Sequence, residues 1–331
     1  MTPCIEAPTR AAIRRAVLLL RAGELVAFPT ETVYGLGADA GNADAVRRIF
    51  TAKGRPTDHP VIVHLANPAD AAHWARAVPD TARRLAAAFW PGPLTLVLPR
   101  AAHVPDAVTG GQDSVGLRVP SHPVARALLA AFGGGIAAPS ANRFGRISPT
   151  TARHVADDLG EGAAMILDGG ACAVGIESTI VACLDDVPVL LRPGGIGIDR
   201  LTRVLGRAPR AADTEAPRAS GTLASHYAPK TPAIVVAPDA LHAEIRQLAS
   251  HDERLAVLAR TVTRAEDATE LWVHAPADAA AYAHDLYANL RALDAAAADV
   301  ILIEAVPAGP EWLAVRDRLA RATRGEDDDR D

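Results

Sequence analysis

Lys53 and Lys230 are the only lysines among 34 basic side chains, all the others being arginine. In a chain so biased, a lysine marks a position where a compact ammonium serves and a planar guanidinium does not. Lys53 opens KGRP (53–56), which sets an ammonium and a guanidinium two residues apart beside a glycine. Such a set can hold a polyphosphate by point charge and bidentate fork, although a solvated basic loop has the same composition. PTETVYGLG (29–37) offers two threonine hydroxyls, a carboxylate, a phenol and two glycines directly after an apolar run. Loops at strand ends are where open α/β sheets hold ligands, and an ordinary turn is the alternative. The run 61–65 delivers His64, whose imidazole can hydrogen-bond a carboxylate or carbamate, or serve only the core. SVGLRVP (114–120) places Arg118 in an otherwise apolar strand, where a buried guanidinium requires an anionic partner; a substrate carboxylate would serve. APSANRFGRISPT (138–150) is dense in hydroxyls with one amide, suited to phosphate, ribose or base. GIESTIV (175–181) and LLRPGGI (190–196) are polar clusters at strand ends, and Arg192 is a second candidate phosphate clamp.

These groups need elements to carry them. Apolar spacing predicts helices over 10–22, 43–51, 81–89 and 123–132, with Gly23 stopping the first. It predicts strands over 25–28, 60–65, 94–99, 115–119, 136–138, 165–168, 178–183 and 187–192, with Pro29 ending the first strand and 30–37 left as a loop. Strands and helices alternate, so the fold class is α/β, with a twisted mixed sheet and flanking helices. From 205 to 231 the pattern breaks into Pro, Gly, Ser, Thr and Ala, a linker that is either a gate or a plain tether. Beyond it, strands over 232–236, 254–258, 271–273 and 300–304 are separated by helices such as 240–249 and 279–295. This is a small parallel α/β domain without a GxGxxG fingerprint. The expected organisation is therefore a domain over 1–204, a linker over 205–231, a second domain over 232–324 and a disordered acidic tail over 325–331.

Composition narrows the function. Hydrophobic residues at 49% and charged residues at 22% describe a globular chain and exclude wholesale disorder. No run approaches the roughly 18 to 20 apolar residues of a membrane span. Glu6, Arg10, Arg14 and Arg15 interrupt any signal-like core, so the expectation is a cytoplasmic protein. Cys4, Cys172 and Cys183 form no CxxC pair and read as packing residues. A net charge of −5 and 4% aromatic residues weigh against a module whose work is to coat nucleic acid.

PTETVYGLG, KGRP with the following IVH, FWPGPLT (89–95), GLRVP, APSAN, GIESTI and LRPG stand in one order. Together they resemble the YrdC-domain L-threonylcarbamoyladenylate synthases over residues 10 to 202. SHYAPKTP (225–232) resembles the linker motif of that family's long, two-domain branch. The resemblance implies a YrdC-like domain with a concave cavity, a linker over the active site and a small Rossmann-like C-terminal domain. It implies that L-threonine, bicarbonate and ATP become threonylcarbamoyl-AMP and pyrophosphate. The product then passes to a separate transferase that builds N6-threonylcarbamoyladenosine in tRNA, so that this chain's own tRNA binding is weak. In the family, L-threonine is held by groups matching Thr32, His64, Arg118, Ala138 and Ser178. ATP is held by groups matching Lys53, Arg55, His59, Ser114, Ser140, Asn142, Ser148, Arg192 and Tyr227. Lys53 and Arg55 are the expected catalytic charges, and Mg2+ is expected on the ATP phosphates with no protein ligands.

Two positions depart from the family pattern: His59 stands where an asparagine is usual, and Ser114 where threonine is common. Both still donate a hydrogen bond, so ATP binding is expected to persist with altered pH sensitivity at His59. The related carbamoyl-adenylate chemistry of hydrogenase maturation adds zinc-finger cysteines and an acylphosphatase segment, and this sequence shows neither.

Overall fold

The structure, a computed structural model, describes residues 4–223, 226–264 and 271–324. The expected acidic tail and Ser225 of the linker motif lie outside the described residues. Contacts divide the chain into two units, one of Met1–Phe144 and Ser148–Thr222, the other of Gly145–Ile147 and Leu223–Asp331. The segment 205–231 is thus shared between them.

The first unit is an α/β sheet of eleven strands. They are β1 (Ile5–Glu6), β2 (Val26–Pro29), β3 (Tyr34–Asp39), β4 (Ile62–His64), β5 (Leu94–Pro99), β6 (Ser114–Arg118), β7 (Ile136–Ala137), β8 (Met165–Leu167), β9 (Thr179–Ala182), β10 (Val189–Arg192) and β11 (Arg210–Ala211). Their order is β1-β8-β2-β3-β7-β4-β6-β5-β9-β10-β11, with parallel and antiparallel neighbours mixed. Helices α1 (Arg10–Arg21), α2 (Ala43–Lys53), α3 (Ala71–Trp74), α4 (Asp80–Phe89), α5 (Asp106–Thr109), α6 (Pro123–Phe132), α7 (Ala152–Leu159) and α8 (Ile198–Leu205) accompany it. One apolar cluster joins α2 and α4 to the sheet through Ile49, Phe50, Leu85 and Leu96; another joins α1 and α6 through Leu20, Phe28, Leu128 and Ile136.

Local chemistry sets the boundaries. The Thr9 hydroxyl caps α1 by accepting from the Ala12 N–H, and the Asn42 side chain caps α2 by accepting from Asp44 and Ala45, satisfying donors a helix start leaves open. Gly54 ends α2 at φ 65°, in the left-handed region where glycine carries no side-chain penalty. Lys53 is therefore the last helical residue and not part of a loop. The expected loop 30–37 is mostly strand: β2 and β3 pair from Val26 with Gly37 to Pro29 with Tyr34, so only Thr30 to Val33 connect them. The alternation that would reveal β3 is hidden because its residues are buried on both faces, except half-buried Asp39.

The second unit has four parallel strands, β12 (Ala233–Val236), β13 (Leu255–Ala259), β14 (Leu271–His274) and β15 (Val300–Glu304), in the order β12-β15-β13-β14. Helices α9 (Leu241–Ala249), α10 (Ala279–Asp294) and α11 (Leu313–Ala322) complete it. Glu304, ending β15, accepts the backbone N–H groups of Arg260, Thr261 and Val262 and so ties β15 to the end of β13. Helices α7, α8 and α11 were not among the helices expected from the sequence; α7 and α8 span only eight residues each. No described helix is long and apolar enough to cross a membrane.

Gly194 follows β10 where the backbone of 177–179 passes. A Cβ there would lie 2.4 Å from the Thr179 nitrogen and 2.5 Å from the Glu177 carbonyl oxygen, and neither backbone atom can yield. Gly194→Ala is expected to cost about 1–3 kcal/mol, as overpacking does, read as a lower urea midpoint at unchanged m value.

Candidate active site

Register brings the first site residues together. Strands β4 and β6 run parallel and pair His64 with Arg118, both at their carboxyl ends. The Arg118 side chain is 4% exposed, and its anionic partner is in the protein: NH2 lies 2.7 Å from Glu31 Oε1. Its NH1 donates to Thr32 Oγ1 at 2.9 Å and its Nε to the Gly92 carbonyl at 3.3 Å. Glu31 Oε2 accepts the Ser121 N–H at 3.0 Å. Burial raises the proton affinity of the Glu31 carboxyl, but the charge and hydrogen bond of Arg118 outweigh it and hold the group below its ordinary value. Glu31 was missed as a site residue, although the need of a buried Arg118 for an anion was the signal, and the nearby PTET motif contains one.

A second group forms around Arg192, which ends β10. Its Nε and NH2 donate to the Ser178 carbonyl, NH2 also reaches Ser178 Oγ at 3.2 Å, and NH1 donates to the Ser220 carbonyl at 2.6 Å. Ser178 Oγ is 2.8 Å from Thr95 Oγ1. Arg55 NH2 donates to the Pro60 carbonyl and reaches Ser220 Oγ at 3.4 Å, while Ser220 Oγ donates to the same carbonyl at 2.7 Å. The two arginines expected to clamp phosphate therefore converge on one linker residue. Next to it, Ala219 packs with Ile62, Val97 and Ile180. The gap left among Ile62, Thr95, Ser114 and Ser220 is about 20 Å³, room for about one water.

Lys53 is 2% exposed and its ammonium donates to the Ser140 carbonyl at 2.6 Å and to the Asn142 carbonyl. Burial, with the charge of Arg55 added, pushes its pKa well below the ordinary value. Ser148 Oγ donates to Glu177 Oε1 at 2.5 Å, and Asn142 Nδ2 to the Arg143 carbonyl at 2.7 Å. The Ala138 N–H donates to the Ile62 carbonyl. His59 lies edge-on to Phe144 at 5.7 Å and 3.9 Å from Asp58. Burial first and Arg55 second lower its pKa, which favours the neutral ring. Tyr227 belongs to the second unit, where it stacks on Tyr287 at 5.7 Å under the Arg318 guanidinium.

His64 is buried beside a cation, and burial followed by the Arg118 charge lowers its pKa from 6.5 to about 3. Folded His64 therefore stays neutral while the unfolded chain takes up a proton below pH 6.5, so stability falls as pH drops from 6.5 toward 3. At pH 5.0 this amounts to about 2 kcal/mol at 1.36 kcal/mol per unit. Urea unfolding of His64→Gln is expected to lose about that much less than wild type between pH 7.5 and 5.0; equal losses would remove His64 as the source.

Two family models match the sequence: Sua5_yciO_yrdC, described as telomere recombination, over residues 18–194, and Sua5_C, described as the threonylcarbamoyl-AMP synthase C-terminal domain, over 196–323. The threonylcarbamoyl-AMP synthase of Bacillus subtilis is 42% identical over 328 residues, covering 95% of this chain and 93% of the relative. That of Pyrococcus abyssi is 41% identical over 319 residues, covering 94% of each. The crystal structure of P. abyssi Sua5 complexed with L-threonine superposes with a TM-score of 0.89 at 39% identity, covering 97% of this chain and 96% of that one. Since both halves are matched in order and these relatives align along nearly their whole length, the chain belongs to the threonylcarbamoyl-AMP synthase family.

Proposed function

We propose that this chain joins L-threonine, bicarbonate and ATP into threonylcarbamoyl-AMP with release of water, as the amine displaces a bicarbonate oxygen, and of pyrophosphate, for N6-threonylcarbamoyladenosine synthesis in tRNA. The observation that carries this reading is the convergence of Arg55 and Arg192, from separate elements, on Ser220 in the same unit as the Thr32–Arg118 pair. Two forks aimed at one point are what a polyphosphate needs. Threonine's amine must be neutral to take up bicarbonate carbon, and the carbamate is labile in water, so the chemistry needs a closed site. A carbamate oxygen then attacks the α-phosphorus and pyrophosphate leaves. Positioning of this kind can supply about 7–11 kcal/mol of the barrier.

In this reading Arg118, with Thr32, Ala138 and Ser178, orients the amino acid. The substrate carboxylate would share Arg118 with Glu31, and neutral His64, adjacent in register, offers an uncharged donor. Arg55 and Arg192 take charge building on the phosphates, and Ser114 and His59 line the nucleotide. Lys53 holds the 140–142 backbone and adds its charge, so that Ser140 and Asn142 meet ATP in a fixed loop; Ser148, anchored by Glu177, does likewise. Mg2+ would arrive on the ATP phosphates and supply charge there. The adenylate passes to a separate tRNA transferase, tRNA itself binds weakly, and the cytoplasm supplies both ATP and tRNA.

ATP and Ser220 compete for the same two arginines, which makes the linker around Ser220 a gate over the site. Saturating ATP with Mg2+ is expected to speed trypsin cleavage after exposed Arg218 several-fold; unchanged or slower cleavage would favour a fixed tether. Pyrophosphate release by the purified chain with ATP, Mg2+ and bicarbonate is expected to depend on L-threonine, with the adenylate detected by mass. No release under any condition would overturn the proposed reaction.

A further inference from the structure

Thr30 is 2% exposed, and no step above uses it. Its Oγ1 lies 2.7 Å from the Val33 carbonyl oxygen and 2.8 Å from Thr32 Oγ1. A carbonyl oxygen carries no proton, so the single Thr30 hydroxyl proton lies on the line to Val33. Thr30 Oγ1 also accepts the Thr32 and Val33 N–H groups, at 3.2 and 3.3 Å, and a proton supplied by Thr32 is the assignment that leaves neither short oxygen–oxygen contact without one. Arg118 NH1 donates to the same Thr32 oxygen from 2.9 Å and takes one of its two lone pairs. Donation runs in one direction, from Arg118 to Thr32 to Thr30 to the Val33 carbonyl. Glu31 holds its origin in place through the 2.7 Å ion pair. What Thr32 retains is one lone pair and no proton.

We infer that Thr30 is a positioning residue that fixes Thr32 as a hydrogen-bond acceptor facing the substrate nitrogen. The inference rests on the reading above that Thr32 holds L-threonine. An acceptor pairs with the N–H of the amine, or of the carbamate made from it, and repels a carboxylate oxygen. It thereby separates the two ends of the amino acid, nitrogen toward Thr32 and carboxylate toward Arg118. A freely turning Thr32 hydroxyl would donate to either end and lose that distinction.

Steady-state kinetics of adenylate formation by the full chain test this. Thr30→Val keeps the side chain's shape without its hydroxyl and is expected to raise KM for L-threonine about tenfold, equivalent to about 1.4 kcal/mol, with KM for ATP within about twofold. Thr30→Ser keeps the hydroxyl and is expected to remain near wild type for both. The double variant Thr30→Val/Thr32→Val is expected to match Thr32→Val alone, because Thr30 acts only through Thr32. Additive losses, or a rise in both KM values alike, would mark a merely structural Thr30 and overturn the inference. If Thr32→Val raises KM for threonine while Thr30→Val does not, the inference falls and the Thr32 contact stands. If Thr32→Val leaves it unchanged, the contact of Thr32 with threonine fails first.

Discussion

A charged guanidinium buried at the end of a central strand constrains everything around it. An unpaired ion in such a place costs several kcal/mol after relaxation, and Arg118 avoids that through Glu31, Thr32 and the Gly92 carbonyl. Those partners come from elements far apart in sequence. Glu31 and Thr32 lie in the four-residue connection of the β2–β3 hairpin, Gly92 in the turn before β5, and Ser121, which holds the other Glu31 oxygen, just past β6. The hairpin connection is itself tied down, since the Val174 N–H donates to the Glu31 carbonyl at 2.7 Å. The sheet register that puts His64 beside Arg118 thus also sets where a carboxylate can go.

The second pair of arginines follows a different logic. Arg192 donates to the carbonyls of Ser178 and Ser220, and Arg55 donates to the Pro60 carbonyl and reaches the Ser220 hydroxyl. A backbone carbonyl is a weaker partner for a guanidinium than a carboxylate or phosphate, so these bonds suit exchange with an anionic ligand. The Arg118–Glu31 pair, an ion pair already, suits permanence. Two classes of buried arginine thus stand in one unit, one paired with an acid and one donating to carbonyls, and they differ in how readily an anion displaces those partners.

Much of the fold was legible from apolar spacing. The helices beginning near Arg10, Ala43, Asp80 and Pro123 and the strands around Leu94, Ser114 and Val300 stand within a residue or two of their expected places, because each presents a clear period bounded by a cap, glycine or proline. The hairpin strand Tyr34–Asp39 was not legible, since burial of both faces erases alternation. Helices α7 and α8, of eight residues each, were too short for the window that reveals helical period. The family motifs supplied the candidate polar residues without showing which of them touch.

What the sequence determined by itself is the inventory: an α/β chain in two parts, a hydroxyl-rich PTET connection, KGRP, and arginines ending two apolar strands. These follow from residue type and local spacing, which short-range sterics and hydrogen bonding convert directly into helices, strands and turns. The tertiary structure alone decided the partnerships. That Glu31 answers Arg118, that Ser220 sits between Arg55 and Arg192, that Lys53 holds the carbonyls of Ser140 and Asn142 and that Thr32 Oγ1 lies against Thr30 Oγ1 are consequences of strand order and packing. The physical reason is distance. The charge of a side chain is local, but the cost of burying it is settled by whichever polar atom the folded chain brings within about 3 Å.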